Sequence, residues 1–145
     1  MRRILAASLV AASCAGGPPA PAEIAMGQEL CAYCRMTIVS QATAAQVAAP
    51  GEEPKMFDEI GCLRDYLAAG PLAQGAVVYV ADHRTRAWVD ARLALFTRTA
   101  VSTPMSSGLL AHADAASRDA DPATRGGRAI PASAVLLSPE PSTRP

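Results

Sequence analysis

Four stretches of the chain carry residues that could do chemistry, and sulfur is what they share. They are Cys31-Ala32-Tyr33-Cys34-Arg35-Met36, Met56, Cys62, and Met105 after Pro104. Thiolate and thioether donors select copper(I) and similarly polarizable ions over hard cations. A Cys-x-x-Cys turn brings two thiols onto one ion, and Met36, two residues beyond Cys34, shares its side of an extended segment. A thioether carries no proton, so a Met ligand stays available where acid removes a thiolate, and it binds weakly enough to hand the ion on. Other uses fit the same residues. Cys-x-x-Cys in an exported protein also suits a disulfide or a redox pair. Each Met alone suits core filling, and Cys62, one residue off an apolar helix face, suits an inert buried thiol.

Three cysteines in the body of the chain cannot all pair within one molecule, so at least one thiol stays free. In an oxidising compartment a free thiol is a liability unless it is buried or held by an ion. Zinc fits less well than copper(I), because a structural zinc site wants four Cys, His or carboxylate ligands at closed spacing. The only histidines, His83 and His112, stand isolated from each other and from the cysteines. His83 reads as a solvated turn residue and His112 as a polar-face residue at the start of a helix. Thioredoxin-like chemistry needs a strand before the motif, and Cys31 comes too early for one. Gly-x-Ser-x-Gly, a Gly-rich phosphate loop and His-Glu-x-x-His are all missing from the sequence. Asp58, Glu59, Asp65, Asp82 and Asp90 read as caps, turn residues and solvated positions. The expectation is a protein that is not an enzyme.

Residues 36–40 and 44–49 are short apolar runs that predict a pair of strands, ended by a turn over Pro50-Gly51-Glu52-Glu53-Pro54. Asp58 predicts an N-cap for a helix whose apolar face is Ile60, Leu63 and Leu67, with Tyr66 beside it and Gly70-Pro71 as its stop. Residues 76–80 form the clearest strand pattern, followed by a turn at 83–86 and then Trp88-Val89-Asp90. Residues 93–101 suggest another strand, 109–120 a second helix stopped by Asp121-Pro122, and Ala129-Ile130 a last short strand. This order predicts an α+β fold made of two small ββαβ-like units.

The chain has 145 residues, with 13 Lys and Arg against 13 Asp and Glu, and only one Trp, three Tyr and two Phe. That length suits one ordinary domain or two very small ones. A neutral balance with so few aromatics argues against a nucleic-acid surface. Four cysteines are too few for a dense disulfide scaffold. Arg2 and Arg3 before the apolar residues 4–12 describe a secretory signal, too short to span a bilayer as an anchor. Cys14, directly after Ala11-Ala12-Ser13, resembles the bacterial lipoprotein processing site, where the thiol takes a diacylglycerol. Cleavage near Ala15 or Ala20 is the alternative, and it releases a soluble protein. The expected organisation is a signal peptide over 1–13, lipid attachment and a flexible tether over 14–22, a copper-binding body over 23–137, and a disordered tail over 138–145.

The same segments resemble the NosL family, copper-binding accessory lipoproteins of nitrous oxide reductase. Cys34-Arg35-Met36-Thr37-Ile38 is similar to that family's Cys-Gly-Met signature, and residues 57–67 resemble its first helix. Val80-Ala81-Asp82 through Trp88-Val89-Asp90-Ala91 resembles its central strand and turn, and Thr103-Pro104-Met105 with Gly108 its Thr-Pro-Met segment. The resemblance implies a monomeric copper(I) carrier, exported and membrane-anchored in the periplasm. Its partner would be a membrane copper-delivery and maturation complex, and ultimately nitrous oxide reductase. It implies copper ligation by Cys34 and Met105, with one of Cys31, Met36 or Cys62 filling out a low-coordinate site. Arg35 stands where that family carries Gly, a residue free to take positive φ. The alternative reading is a thiol–disulfide redox protein using Cys31 and Cys34. A third is a structural lipoprotein stapled by a disulfide.

Overall fold

A computed structural model describes residues 17–136. The expected signal peptide, the lipidation site Cys14 and the tail over 138–145 lie outside the described residues. The fold is α+β, two antiparallel sheets sharing one core with short helices. The first sheet has the order β2-β1-β3-β4, with β1 Ala45–Ala48, β2 Lys55–Phe57, β3 Val77–Ala81 and β4 Trp88–Asp90. The second has the order β6-β5-β7, with β5 Leu95–Arg98, β6 Leu109–His112 and β7 Arg128–Ile130. Among the described residues, no helix is long and apolar enough to cross a membrane.

Strand β1 is buried along its whole length because it is central, pairing with β2 on one side and β3 on the other. The turn over 50–54 joins β1 to β2 as a hairpin rather than closing an earlier pair. The strand expected over 36–40 reduces to a single bridge, Leu30 to Thr37, with Val39 76% exposed and Ser40 capping a 3₁₀ turn. The hydrogen bonds of 36–38 go instead to the 29–31 segment, where Cys31 N–H donates to Met36 O and Ile38 N–H to Glu29 O.

Helix α1, Ile60–Ala68, buries Ile60, Cys62, Leu63 and Leu67 as its spacing predicts. Its N-cap is Glu59, one residue later than expected, and that side chain makes no capping bond. Asp58 and Glu59 are buried, not solvated. The second expected helix splits. Residues 109–112 are β6, each one buried and paired with β5 in the register Leu95↔His112. Helix α2, Ala115–Ala120, starts only where Asp114 accepts the Ser117 N–H. A last helix, α3 Ser133–Leu136, buries Val135 in the shared core.

The two sheets meet where β3 ends. Asp82 bridges to Ala111, and His83 N–H donates to Ala111 O. Asp82 is fully buried. It accepts the N–H groups of Arg84, Thr85 and Ala113 and the Ser117 hydroxyl, which outweigh its burial and hold its carboxyl well below the usual range. At the other end, the last residues of the expected tether are tied to the body. Gln46, buried in β1, takes the Ala22 N–H and donates to Ala22 O, and the Tyr79 hydroxyl donates to Pro19 O.

Candidate metal site

The Cys31–Cys34 segment is a tight loop closed by Arg35 N–H donating to Cys31 O, and docked on β2 by Ala32 N–H donating to Met56 O. Turning the chain back into the 36–38 segment puts Arg35 at φ 67, the left-handed region that glycine enters freely. The loop rests over the start of α1, which presents Cys62 from its first turn, with Asp58 just before the helix. One ligand atom each from Cys31, Cys34, Asp58 and Cys62 lie within 4.8 Å of one another. Two sulfurs bound to one ion at about 2.3 Å each are at most about 4.6 Å apart, so small side-chain rotations close this group on a metal. All three thiols are free. Cys31 and Cys62 are buried, while Cys34 is partly exposed at the mouth.

The electrostatics of the group favour a cation. The Cys34 thiol donates to Asp58 Oδ2 at 3.4 Å, while the buried Asp58 Oδ1 and Glu59 Oε1 have no hydrogen-bond partner among the described residues. Two adjacent carboxylates, 3% and 1% exposed, are an unusual expense in a core unless positive charge arrives to meet them. Burial pushes the Cys34 thiol up, opposed by the Met36 backbone and reinforced by Cys31 and Asp58. Burial, then the Asp58 carboxylate, push the Cys62 thiol far above the ordinary range. Both are therefore thiols at neutral pH, and a metal that binds them must displace their protons.

Met105 sits on the loop between β5 and β6, half exposed, and its N–H donates to Glu59 Oε2 at 3.2 Å. Gly61 makes that approach possible, because a Cβ there would lie 2.7 Å from Ser107 Cβ. Between loop and helix lies a cleft of about 300 Å³ whose lining includes Tyr33, Glu59, Cys62, Arg98 and Met105. Cys62 thus belongs both to the thiol group and to the wall that Met105 borders. Met36 is half exposed on the far arm of the Cys31–Cys34 loop, and Met56 is buried in the core.

No protein-family model, curated protein or solved structure matches this chain. Geometry alone therefore identifies the site, and it adds residues that the spacing did not. Asp58 reads as a helix cap in sequence, yet its side chain turns toward the thiols. The only signal was its position four residues before Cys62. The histidines also differ from expectation. His112 is fully buried at the end of β6, and His83 lies beside it with ring centroids 6.2 Å apart. They are distant in sequence and adjacent in the fold, because β3 and β6 end at the same seam.

Proposed function

We propose that this chain is a carrier of copper(I), binding it through the thiols of Cys34, Cys31 and Cys62 with the Met105 thioether at the mouth. One observation carries the reading: three free thiols from two separate segments converge within 4.8 Å beside a cleft bordered by methionine. Sulfur donors of this kind suit a monovalent soft ion. A partly exposed Cys34 and a half-exposed Met105 leave an edge at which an acceptor's ligands can displace them one at a time. The resemblance to the NosL family, together with the leader ending in Cys14, supports an exported, lipid-anchored protein of the periplasm. On that reading it is not an enzyme. It hands copper to a membrane maturation complex serving nitrous oxide reductase or a related copper enzyme.

A second reading has its own observation. Asp58 within the group makes a Cys₃Asp set, the four-ligand composition of a closed zinc site. The redox alternative finds less support, since a Cys-x-x-Cys pair reacts through a partly exposed first thiol and Cys31 is fully buried.

Anaerobic titration of the reduced protein against competing chelators, with copper and sulfur X-ray absorption, tests the carrier reading. Uptake of about one copper(I) ion per chain is expected, with sulfur-only ligation, and Cys34→Ser or Met105→Ala should each weaken it at least about tenfold. Unchanged copper(I) affinity in both variants refutes it. Preference for zinc with an oxygen in the first shell selects the second reading, and a reversible Cys31–Cys34 disulfide with activity indifferent to Met105 selects the redox one.

A further inference from the structure

A second cluster lies at the seam between the sheets, on residues separate from the thiol group. His83 follows β3, His112 ends β6, and Asp121 sits between α2 and the 3₁₀ turn Pro122–Thr124. His83 Nδ1 is 2.6 Å and His112 Nε2 is 2.9 Å from the same oxygen, Asp121 Oδ2, and the three atoms lie within 4.8 Å of one another. We propose that His83, His112 and Asp121 form a second metal site, taking a borderline divalent cation of the zinc and copper(II) class.

The donor chemistry and the scaffold both support this. Two imidazoles and a carboxylate suit borderline divalent ions, and three protein ligands completed by water are a common arrangement for zinc. Ligand atoms at about 2.0–2.1 Å from a tetrahedral ion stand about 3.3 Å apart, so the cluster opens by roughly half an ångström to admit one. Each ligand is fixed from a different element. His112 is held in the β5–β6 ladder, His83 by its N–H to Ala111 O, and Asp121 by its N–H to Arg118 O and by Oδ1 accepting the Ala123 N–H. The neighbouring carboxylate makes the contrast. Asp82 is surrounded by backbone N–H groups and the Ser117 hydroxyl, the pattern of a structural anion, whereas Asp121 Oδ2 faces two ring nitrogens. His112 Nδ1 is buried with no partner among the described residues, so its Nε2 edge is the one side of the ring held by a polar group. His83, partly exposed, is the side from which an ion enters. An ion held there would tie β3 of the first sheet to β6 and the α2 end of the second.

Ring-nitrogen NMR of the ¹⁵N-labelled full chain, titrated with Zn²⁺, tests the site directly. The expected result is a shift of His83 Nδ1 and His112 Nε2 to metal-bound positions, each ring keeping its proton on the other nitrogen. Co²⁺ distinguishes this site from the thiol cluster, because thiolate-bound cobalt gives intense sulfur-to-metal charge transfer and a His₂Asp site gives only weak ligand-field bands. His83→Gln and Asp121→Asn should each weaken the sulfur-free equivalent at least about tenfold and leave the charge-transfer equivalent in place. His83 is a partly exposed turn residue, so its variant keeps the fold in question testable. Ring spectra unmoved by Zn²⁺ in the folded protein, or sulfur-free binding unchanged in both variants, overturns the proposal.

Discussion

Replacing Asp58 by Asn alters the thiol cluster in a way that can be worked out from its geometry. The carboxylate lies within 4.8 Å of all three sulfurs and opposes the ionisation of Cys34 and Cys62. A carboxylate and a thiolate at that separation repel by about 3 kcal/mol at an effective dielectric of about 20. Solvent at the mouth screens much of that for Cys34, where burial is the larger cause of the raised thiol. Asn has nearly the same shape, and the Thr43 hydroxyl bond to the Asp58 backbone carbonyl is untouched. Cys34, the partly exposed thiol, should therefore be richer in thiolate at neutral pH. Intrinsic nucleophilicity falls as pKa falls, with a Brønsted slope of about 0.4–0.5, so part of that gain is lost. The net expectation is alkylation of metal-free Cys34 between about twofold and tenfold faster than in the wild type. Iodoacetamide labelling, followed peptide by peptide by mass spectrometry with circular dichroism to confirm folding, reads this directly. An unchanged or slower Cys34 rate in a folded variant refutes the electrostatic account. The same variant separates the two metal readings: copper(I) affinity holds or rises as the thiols ionise more easily, whereas zinc affinity falls about tenfold or more if Asp58 is a ligand.

Because Cys34 and Cys62 are raised and protonated at neutral pH, copper(I) uptake should release protons. Its conditional affinity should then climb with pH, by about tenfold per unit for each proton displaced. A flat profile between about pH 6 and 8 contradicts this. Gly61→Ala should displace the Glu59 carboxyl that holds the Met105 N–H and press on Ser107, lower stability by about 1–3 kcal/mol and weaken copper(I) binding as far as Met105→Ala does. Stability loss in chemical denaturation with affinity unchanged means that Met105 takes no part. Arg35→Gly should stabilise the protein by about 0.5–1 kcal/mol, because the left-handed strain of an L side chain, about 1–2 kcal/mol, exceeds the extra unfolded-state entropy of glycine. A lower urea midpoint in that variant shows the side chain to be making contacts that outweigh the strain.

The elements legible in the sequence were those whose pattern is local. The helix face Ile60, Leu63, Leu67 follows from a period of 3.6, and the strand around Val77–Ala81 from its β-branched and aromatic run. What periodicity could not separate was a short apolar run beginning at Leu109, where strand and helix patterns coincide over four residues. The choice was made by pairing with β5 and by the cap at Asp114, both outside the run. Nor could it see that 36–38 pairs with the 29–31 segment rather than with a sheet. For the site, sulfur chemistry selected Cys31, Cys34 and Cys62, which the fold brings together. Asp58, Glu59 and His112 were misplaced for one reason: a buried polar residue has the same sequence appearance as an exposed one until the chain around it is closed.

The depth profile of the thiol group fits transfer better than storage. A storage site gains from enclosing every ligand, since each exposed donor is a route for exchange. Here the donors grade outward, from fully buried Cys31 through nearly buried Cys62 to partly exposed Cys34, with half-exposed Met105 across the cleft wall. An incoming soft ion meets the outer sulfurs first and must expel protons from raised thiols to go deeper. The same protons are available to return when an acceptor pulls it out. Burial and the Asp58 carboxylate keep Cys34 and Cys62 protonated without metal. Each proton expelled cancels the charge of the arriving ion, so the carboxylates are not neutralised by binding, and the result is a moderate, pH-dependent grip suited to handing an ion on.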